Sequence, residues 1–161
     1  MILGIPREIL ENENRVAALP ETVEPYLRMG FRVLVEASAG AGSLHADDAY
    51  AKAGATIVPS AGDLYAQADV VLKVKQPCVH PRTGRHEIDM MREGAILVTF
   101  LHPAAPANHD NVRRLRDRNI TALTMDGVPR ISRAQTMDAL TSMSTVTGYK
   151  SVIIAANHFP R

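Results

Sequence analysis

Short apolar runs alternate with amphipathic segments from one end of the chain to the other. The apolar runs predict strands over 2–5, 32–36, 55–58, 70–74, 95–100 and 120–125. Most are rich in β-branched residues and lack a period of two, as expected of strands covered on both faces. The segments between them predict helices over 22–29, 46–53, 62–67, 87–92 and 108–118. Strand and helix alternating at this spacing imply an α/β fold: a doubly wound, mostly parallel six-stranded sheet, Rossmann-like or flavodoxin-like. Gly30, Gly54 and Gly94 each follow a helix-like stretch, where a left-handed cap is wanted. A helix over 137–159 follows, with Leu140, Met143, Val146, Tyr149, Ile153 and Ala156 recurring at three or four. It is rich in Ser and Thr and carries Gly148, so its intrinsic propensity is poor and packing must hold it.

At 161 residues the chain is long enough for one domain with a sizeable core, or for one domain and the first element of another. The division expected is an α/β domain over 1–135 and a helix over 136–161. A net charge of +1 with interspersed signs does not suit a nucleic-acid surface. The densest basic stretch, Arg113-Arg114-Leu115-Arg116-Asp117-Arg118, is interrupted by Leu115 and Asp117 and suits the wet face of a helix. No Trp, four Tyr and three Phe leave no aromatic platform for bases, so nucleic acid is not an expected partner. Cys78 is the only cysteine, which excludes an intrachain disulfide and fits a reducing compartment. The first residues, Met1 to Pro6, are too short for a signal core, and no apolar run reaches membrane-spanning length. His45, His80, His86, His109 and His158 show no ligand spacing, and no metal is expected.

Three places concentrate chemistry. Residues 129–140 follow the sixth strand, on the edge where an α/β sheet presents its binding loops. Two guanidinium groups (Arg130, Arg133), one amide (Gln135) and one carboxylate (Asp138) fall within nine residues there. Arg130 and Asp138 can pair, while Gln135 offers donor and acceptor to a planar polar group. From the residues alone, solvated arginines and an Asp138 that caps the next helix serve as well. The second place is Arg15, just past the first strand, able to clamp a carboxylate or to pair with Glu11 or Glu13. The third is the pair Lys75 and His102 at the carboxyl ends of two strands, where an oxo acid could be held and protonated. Gly40-Ala41-Gly42-Ser43 lacks the third glycine of a dinucleotide turn, runs into Leu44-His45, and is expected to be an ordinary turn.

The ordered stretch Pro129-Arg130-Ile131-Ser132-Arg133-Ala134-Gln135-Thr136-Met137-Asp138-Ala139-Leu140 resembles the loop of the NAD(H)-binding component of proton-translocating nicotinamide nucleotide transhydrogenase. The resemblance implies hydride transfer from NADH to NADP+, coupled to proton movement through separate membrane segments. It implies Arg130, Gln135 and Asp138 as catalytic positioners over the nicotinamide. Ile131, Ser132, Arg133 and Thr141 complete the implied NAD(H)-binding set. Thr141 stands where the family usually has a serine. NADP(H) would sit on a partner component, toward which Gln135 reaches. The resemblance also implies a membrane component as partner, a homodimer in the full-length component, and a cytoplasmic place peripheral to the inner face of the membrane. The family's Gly-rich nucleotide fold comes after this point, so the chain is expected to be a fragment that binds NADH poorly by itself. Arg15, Lys75 and His102 resemble the substrate residues of alanine dehydrogenase, a relative sharing the N-terminal domain. The loop spans a dozen consecutive residues against three scattered ones, and it favours transhydrogenase. A non-enzymatic docking fragment is the third possibility.

Overall fold

The computed structural model describes residues 1–159. Met1–Thr124 form one compact unit, and a second begins at Met125. The first unit is built on six strands: β1 (Ile2–Ile5), β2 (Arg32–Glu36), β3 (Thr56–Val58), β4 (Val70–Leu72), β5 (Ile96–Thr99) and β6 (Thr121–Thr124). They form one sheet in the order β3-β2-β1-β4-β5-β6, and every neighbouring pair is parallel. This is the order of a doubly wound nucleotide fold, reversing between β1 and β4.

Alternation along each strand divides the core in two. Val33 and Val35 of β2 join Leu3, Ile5 and Val70 on one face, beneath α1 (Pro20–Arg28) and α2 (Asp47–Lys52). Leu34, Val71 and Leu97 point to the other face. There they meet α3 (Ala61–Gln67), α4 (Glu87–Met90) and α5 (His109–Asp117) through Leu64, Ile88 and Leu115.

Where elements begin and end differently from the pattern, a specific group decides it. β4 stops at Leu72, two residues early, because the Val74 amide donates to the Glu8 carboxylate instead of to a strand. α1 starts at Pro20, whose missing amide hydrogen suits a first turn. α3 starts at Ala61, with the Ser60 hydroxyl capping the Asp63 amide. Gly30 and Gly54, after α1 and α2, take φ of 87° and 98°, the left-handed conformation expected of helix caps.

The second unit holds a 3-10 turn (Met125–Gly127), a 3-10 helix (Ser132–Met137) and α6 (Ala139–His158). No residue of α6 is buried. The expected packing face, Leu140 to Ala156, does not form a stripe, because Val152 and Ile154 place apolar groups on other sides.

Gly4 lies where β1 passes close beneath α3. A β-carbon there would stand 2.7 Å from Cβ of Ala68, which caps α3, and 2.7 Å from Leu64 Cδ2 within it. Ala68 is buried and cannot turn aside. Gly4→Ala should therefore cost about 1–3 kcal/mol by overpacking, read as a lowered urea midpoint; an unchanged midpoint would refute the contact.

Candidate functional site

Strand order reverses between β1 and β4, and the crevice beyond their carboxyl ends is where open α/β sheets bind ligands. In this chain the floor of that crevice is occupied by charge. Lys73 Nζ, wholly buried, lies 2.7 Å from Glu87 Oε1 on α4 and 3.3 Å from Glu8 Oε2 just past β1. The Tyr65 hydroxyl of α3 donates to the same Glu87 oxygen at 2.6 Å. Glu8 Oε1 accepts the Val74 amide at 2.6 Å, and Glu87 Oε2 accepts the Cys78 amide at 3.0 Å. Glu8 Oε2 has the ammonium at ion-pair distance but receives no aligned hydrogen bond.

The electrostatics follow from burial and these partners. Burial pushes the Glu8 carboxyl above its ordinary value, outweighing the pull of Lys73. Burial alone would lower Lys73, yet Glu87 and Glu8 together overcome it and raise the ammonium above its ordinary value. Burial, and then the charge of Glu87, push the Tyr65 phenol well up.

Beside this cluster, at the ends of β1 and β2, opens a cleft of about 400 Å³. Arg7, Glu8, Arg15, Glu36, His80 and Arg82 are among the residues that line it. Glu36 stands at the end of β2, where dinucleotide folds carry the acid that holds a ribose. Its oxygens are instead committed, one to the Arg7 amide at 2.9 Å and the other to Arg82 at 3.6 Å. His80, almost fully buried, accepts the Arg82 amide at Nδ1. No Gly-rich turn follows β1, and α1 begins only at Pro20. Ala41–Ser43 is a short 3-10 turn, and packing requires glycine both just before it, at Gly40, and within it, at Gly42. A β-carbon would lie 2.6 Å from the Tyr50 ring at Gly40 and 2.7 Å from the Asn14 carbonyl at Gly42.

The three residues of the substrate-type constellation lie along the same edge. Arg15 grips Glu13 through Nε at 2.7 Å and Nη2 at 2.5 Å, the local pairing that the sequence allowed. These bonds hold the Glu13 carboxyl below its ordinary value, with a smaller through-space pull from Lys75. The Lys75 carbonyl accepts the Thr99 hydroxyl of β5 at 2.9 Å. His102 follows β5 with a left-handed φ of 49°, its ring stacked on Phe100. Arg15 thus binds Glu13 directly and Lys75 acts on it through space, while the His102 ring stacks on Phe100.

The loop of the second unit is arranged differently from a simple Arg130–Asp138 pair. Asp138 is buried and caps α6: Oδ1 accepts the Thr141 amide at 3.0 Å and Oδ2 accepts the Thr141 hydroxyl at 2.5 Å. Asp138 forms no ion pair with Arg130, which influences it only through space. Arg130, Ile131, Ser132, Arg133 and Gln135 are exposed, the last three on the 3-10 helix Ser132–Met137, and Ala134 is buried. Among the described residues no His, Cys, Asp and Glu side chains gather as metal ligands. None of the described helices is long and apolar enough to cross a membrane.

Sequence reasoning missed Glu8, Lys73, Glu87 and Tyr65. The signal was the period of two: Lys73 shares a face with Val71, which is core, so it had to bring buried carboxylates with it.

The fold and this edge define an α/β domain with the strand order of a dinucleotide fold but a charged plug in place of its phosphate turn. Its sequence matches the family described as alanine dehydrogenase/PNT, N-terminal domain, over residues 4–147, and the chain belongs to that family. It is 45% identical to NAD(P) transhydrogenase subunit alpha of Haemophilus influenzae over 99% of its own length and 29% of that protein. The transhydrogenase structure from Sinorhizobium meliloti superimposes with a TM-score of 0.88 at 38% identity, covering all of this chain and 46% of that one. An L-alanine dehydrogenase structure gives 0.83 at 34% identity over 98% of this chain and 40% of that one. The chain therefore spans less than half the length of these relatives.

The cap on α6 has a pH signature. The Thr141 hydroxyl and amide, in that order, hold Asp138 below its ordinary value. Its stabilisation is thus complete above the ordinary carboxylate value and is lost as pH falls through the lowered one. The Thr141 amide resonance should titrate below the ordinary aspartate value, and Asp138→Ala should abolish that titration and fray the first turn of α6. Titration at or above the ordinary value would contradict the cap.

Proposed function

We propose that the chain is the N-terminal part of the NAD(H)-binding component of a proton-translocating NAD(P) transhydrogenase, in which hydride passes from NADH to NADP+. On this reading residues 1–135 are the N-terminal α/β domain, and residues 136–161 lead toward a nucleotide-binding domain. The NADP(H)-binding and membrane components are its partners, the full-length component is a homodimer, and the assembly sits at the cytoplasmic face of the membrane. What supports it most is the loop 129–140, set in a chain whose whole length resembles transhydrogenase alpha subunits. Its groups suit a carboxamide: Arg130 only donates, the ionised Asp138 only accepts, and Gln135 does both.

The nicotinamide pair supplies the hydride and its acceptor, and needs no protein acid or base for that transfer. The chain's own contribution is orientation, which alone can account for several orders of magnitude in rate. Asp138, fixed by Thr141, is an anchored acceptor. Arg130 and Asp138 would hold the NAD(H) ring, with Ile131, Ser132 and Arg133 shaping the loop around it. Gln135, exposed on its 3-10 helix, would reach toward the NADP(H) side.

A second reading has one specific observation in its favour. Arg15 and Lys75 act on the same Glu13 carboxylate at the edge of the first unit, as a site for a small amino or oxo acid would need. With His102 as proton donor this would be an alanine dehydrogenase-type centre.

Two measurements test these readings. In the full-length component, Gln135→Asn should cut hydride transfer by on the order of a hundredfold, the cost of about 1 Å of misplacement, and leave NADH affinity nearly unchanged. Arg130→Ala should weaken both. Single-turnover assays with both nucleotides separate these effects; a silent Gln135→Asn, with Lys75→Ala abolishing turnover of alanine, would favour the second reading. Calorimetry on the 161-residue chain should find no micromolar NADH binding, because its switch point lacks a phosphate-binding turn. Micromolar affinity would contradict the assignment of the loop as an incomplete site.

A further inference from the structure

The stretch from Val74 to Cys78, one residue beyond the end of β4, belongs to no helix or strand, yet it is held at almost every step by side chains from distant elements. Glu8, beyond β1, takes the Val74 amide. Thr99 of β5 donates to the Lys75 carbonyl. Asn111 of α5 donates to the Pro77 carbonyl at 3.0 Å. Glu87 of α4 takes the Cys78 amide. The two carboxylates that close the ends of this turn are the two that meet on Lys73 Nζ.

We propose that Lys73 is a positioning residue: by joining Glu8 to Glu87 it fixes the turn 74–78 and so fixes the backbone from which the Lys75 side chain extends. The chemistry favours geometry over stability as the reason for this lysine. An ion pair with its charges removed from water contributes little net stability compared with apolar residues of the same volume. An apolar residue at 73 would fill the same buried place, but would leave two carboxylates with no common cation. Each would then turn toward water or take up a proton, and each would loosen its amide. The turn would be freed at both ends, and Lys75 lies between them. The proposal does not rest on the transhydrogenase reading, since it concerns where Lys75 is held and not what it binds.

Glu13 reports the position of Lys75, because its carboxyl feels the lysine's charge through space. Carbon-detected NMR titration of Glu13 in the 161-residue chain provides the test. Lys75→Met should raise the Glu13 midpoint. Lys73→Met should raise it by at least half as much, and the double variant should match Lys75→Met alone. Exchange of the Val74 and Cys78 amides should quicken about tenfold in Lys73→Met, the loss of one charge-assisted hydrogen bond each. A lysine that merely fills the core would leave Glu13 unmoved in the native state. Should Lys73→Met not fold, the isosteric Glu87→Gln carries the same test with the same thresholds. A Glu13 shift under half that of Lys75→Met, a double variant that exceeds Lys75→Met, or unchanged exchange at Val74 and Cys78 would overturn the proposal.

Discussion

The first unit depends on one buried ammonium. Taking Lys73 and two carboxylates out of water costs several kcal/mol for each ion, and only close, well-directed partners offset it. They are present: Glu87 receives Lys73 and the Tyr65 hydroxyl on one oxygen and the Cys78 amide on the other, while Glu8 receives the Val74 amide. Through these bonds the segment after β1, the end of β4, α3 and α4 are tied at a single point. Each of those pieces also packs in the apolar core, but apolar packing is non-directional. The charged group adds direction, and places it where the sheet changes the order of its strands.

That location has a consequence for binding. In dinucleotide folds with this strand order, a glycine turn leaves the first crevice open for a pyrophosphate at a helix N-terminus. Here Pro6-Arg7-Glu8 follows β1, the glutamate folds inward, and no helix starts until Pro20. The end-of-strand acid of β2 is present as Glu36 but is spent on Arg7 and Arg82. Topology has therefore been kept while the ligand site it usually carries has been filled, a plain instance of fold and function separating. What remains is a polar cleft lined by Arg7, Arg15 and Arg82 together with Glu8, Glu13 and Glu36.

The architecture was legible because interior parallel strands write themselves as apolar runs: β1 and β2 fall where the pattern put them, to the residue. Ends were less legible wherever a side chain distant in sequence ended an element. Glu8 stops β4 from a distance of 66 residues, and nothing near Val74 announces it. Lys75 and His102 stand out as ionisable residues ending apolar runs, whereas Lys73 is hidden within the run and Glu87 within a helix. The pairing of Arg15 with Glu13 was legible, being separated by two residues. The cap of Asp138 on Thr141 was also legible, at a spacing of three, and it replaces the Arg130 pair that charge alone suggested.

The loop of the second unit shows the same division between what is fixed and what is not. Asp138 cannot swing, because its two oxygens are held by the amide and hydroxyl of Thr141. The methyl that distinguishes Thr141 from a serine restricts its χ1, and so stiffens the hydroxyl that the carboxylate depends on. Arg130 and Gln135 are exposed and carry the rotamer freedom of long side chains. A planar polar ligand laid on such a loop would find one acceptor already in place and two partners still to be ordered. Ordering a long side chain costs about 0.5–1.5 kcal/mol, so the loop gains most when a second surface arrives and holds both chains at once. A loop built this way orients its ligand best in company, which is the behaviour that the proposed reading asks of it.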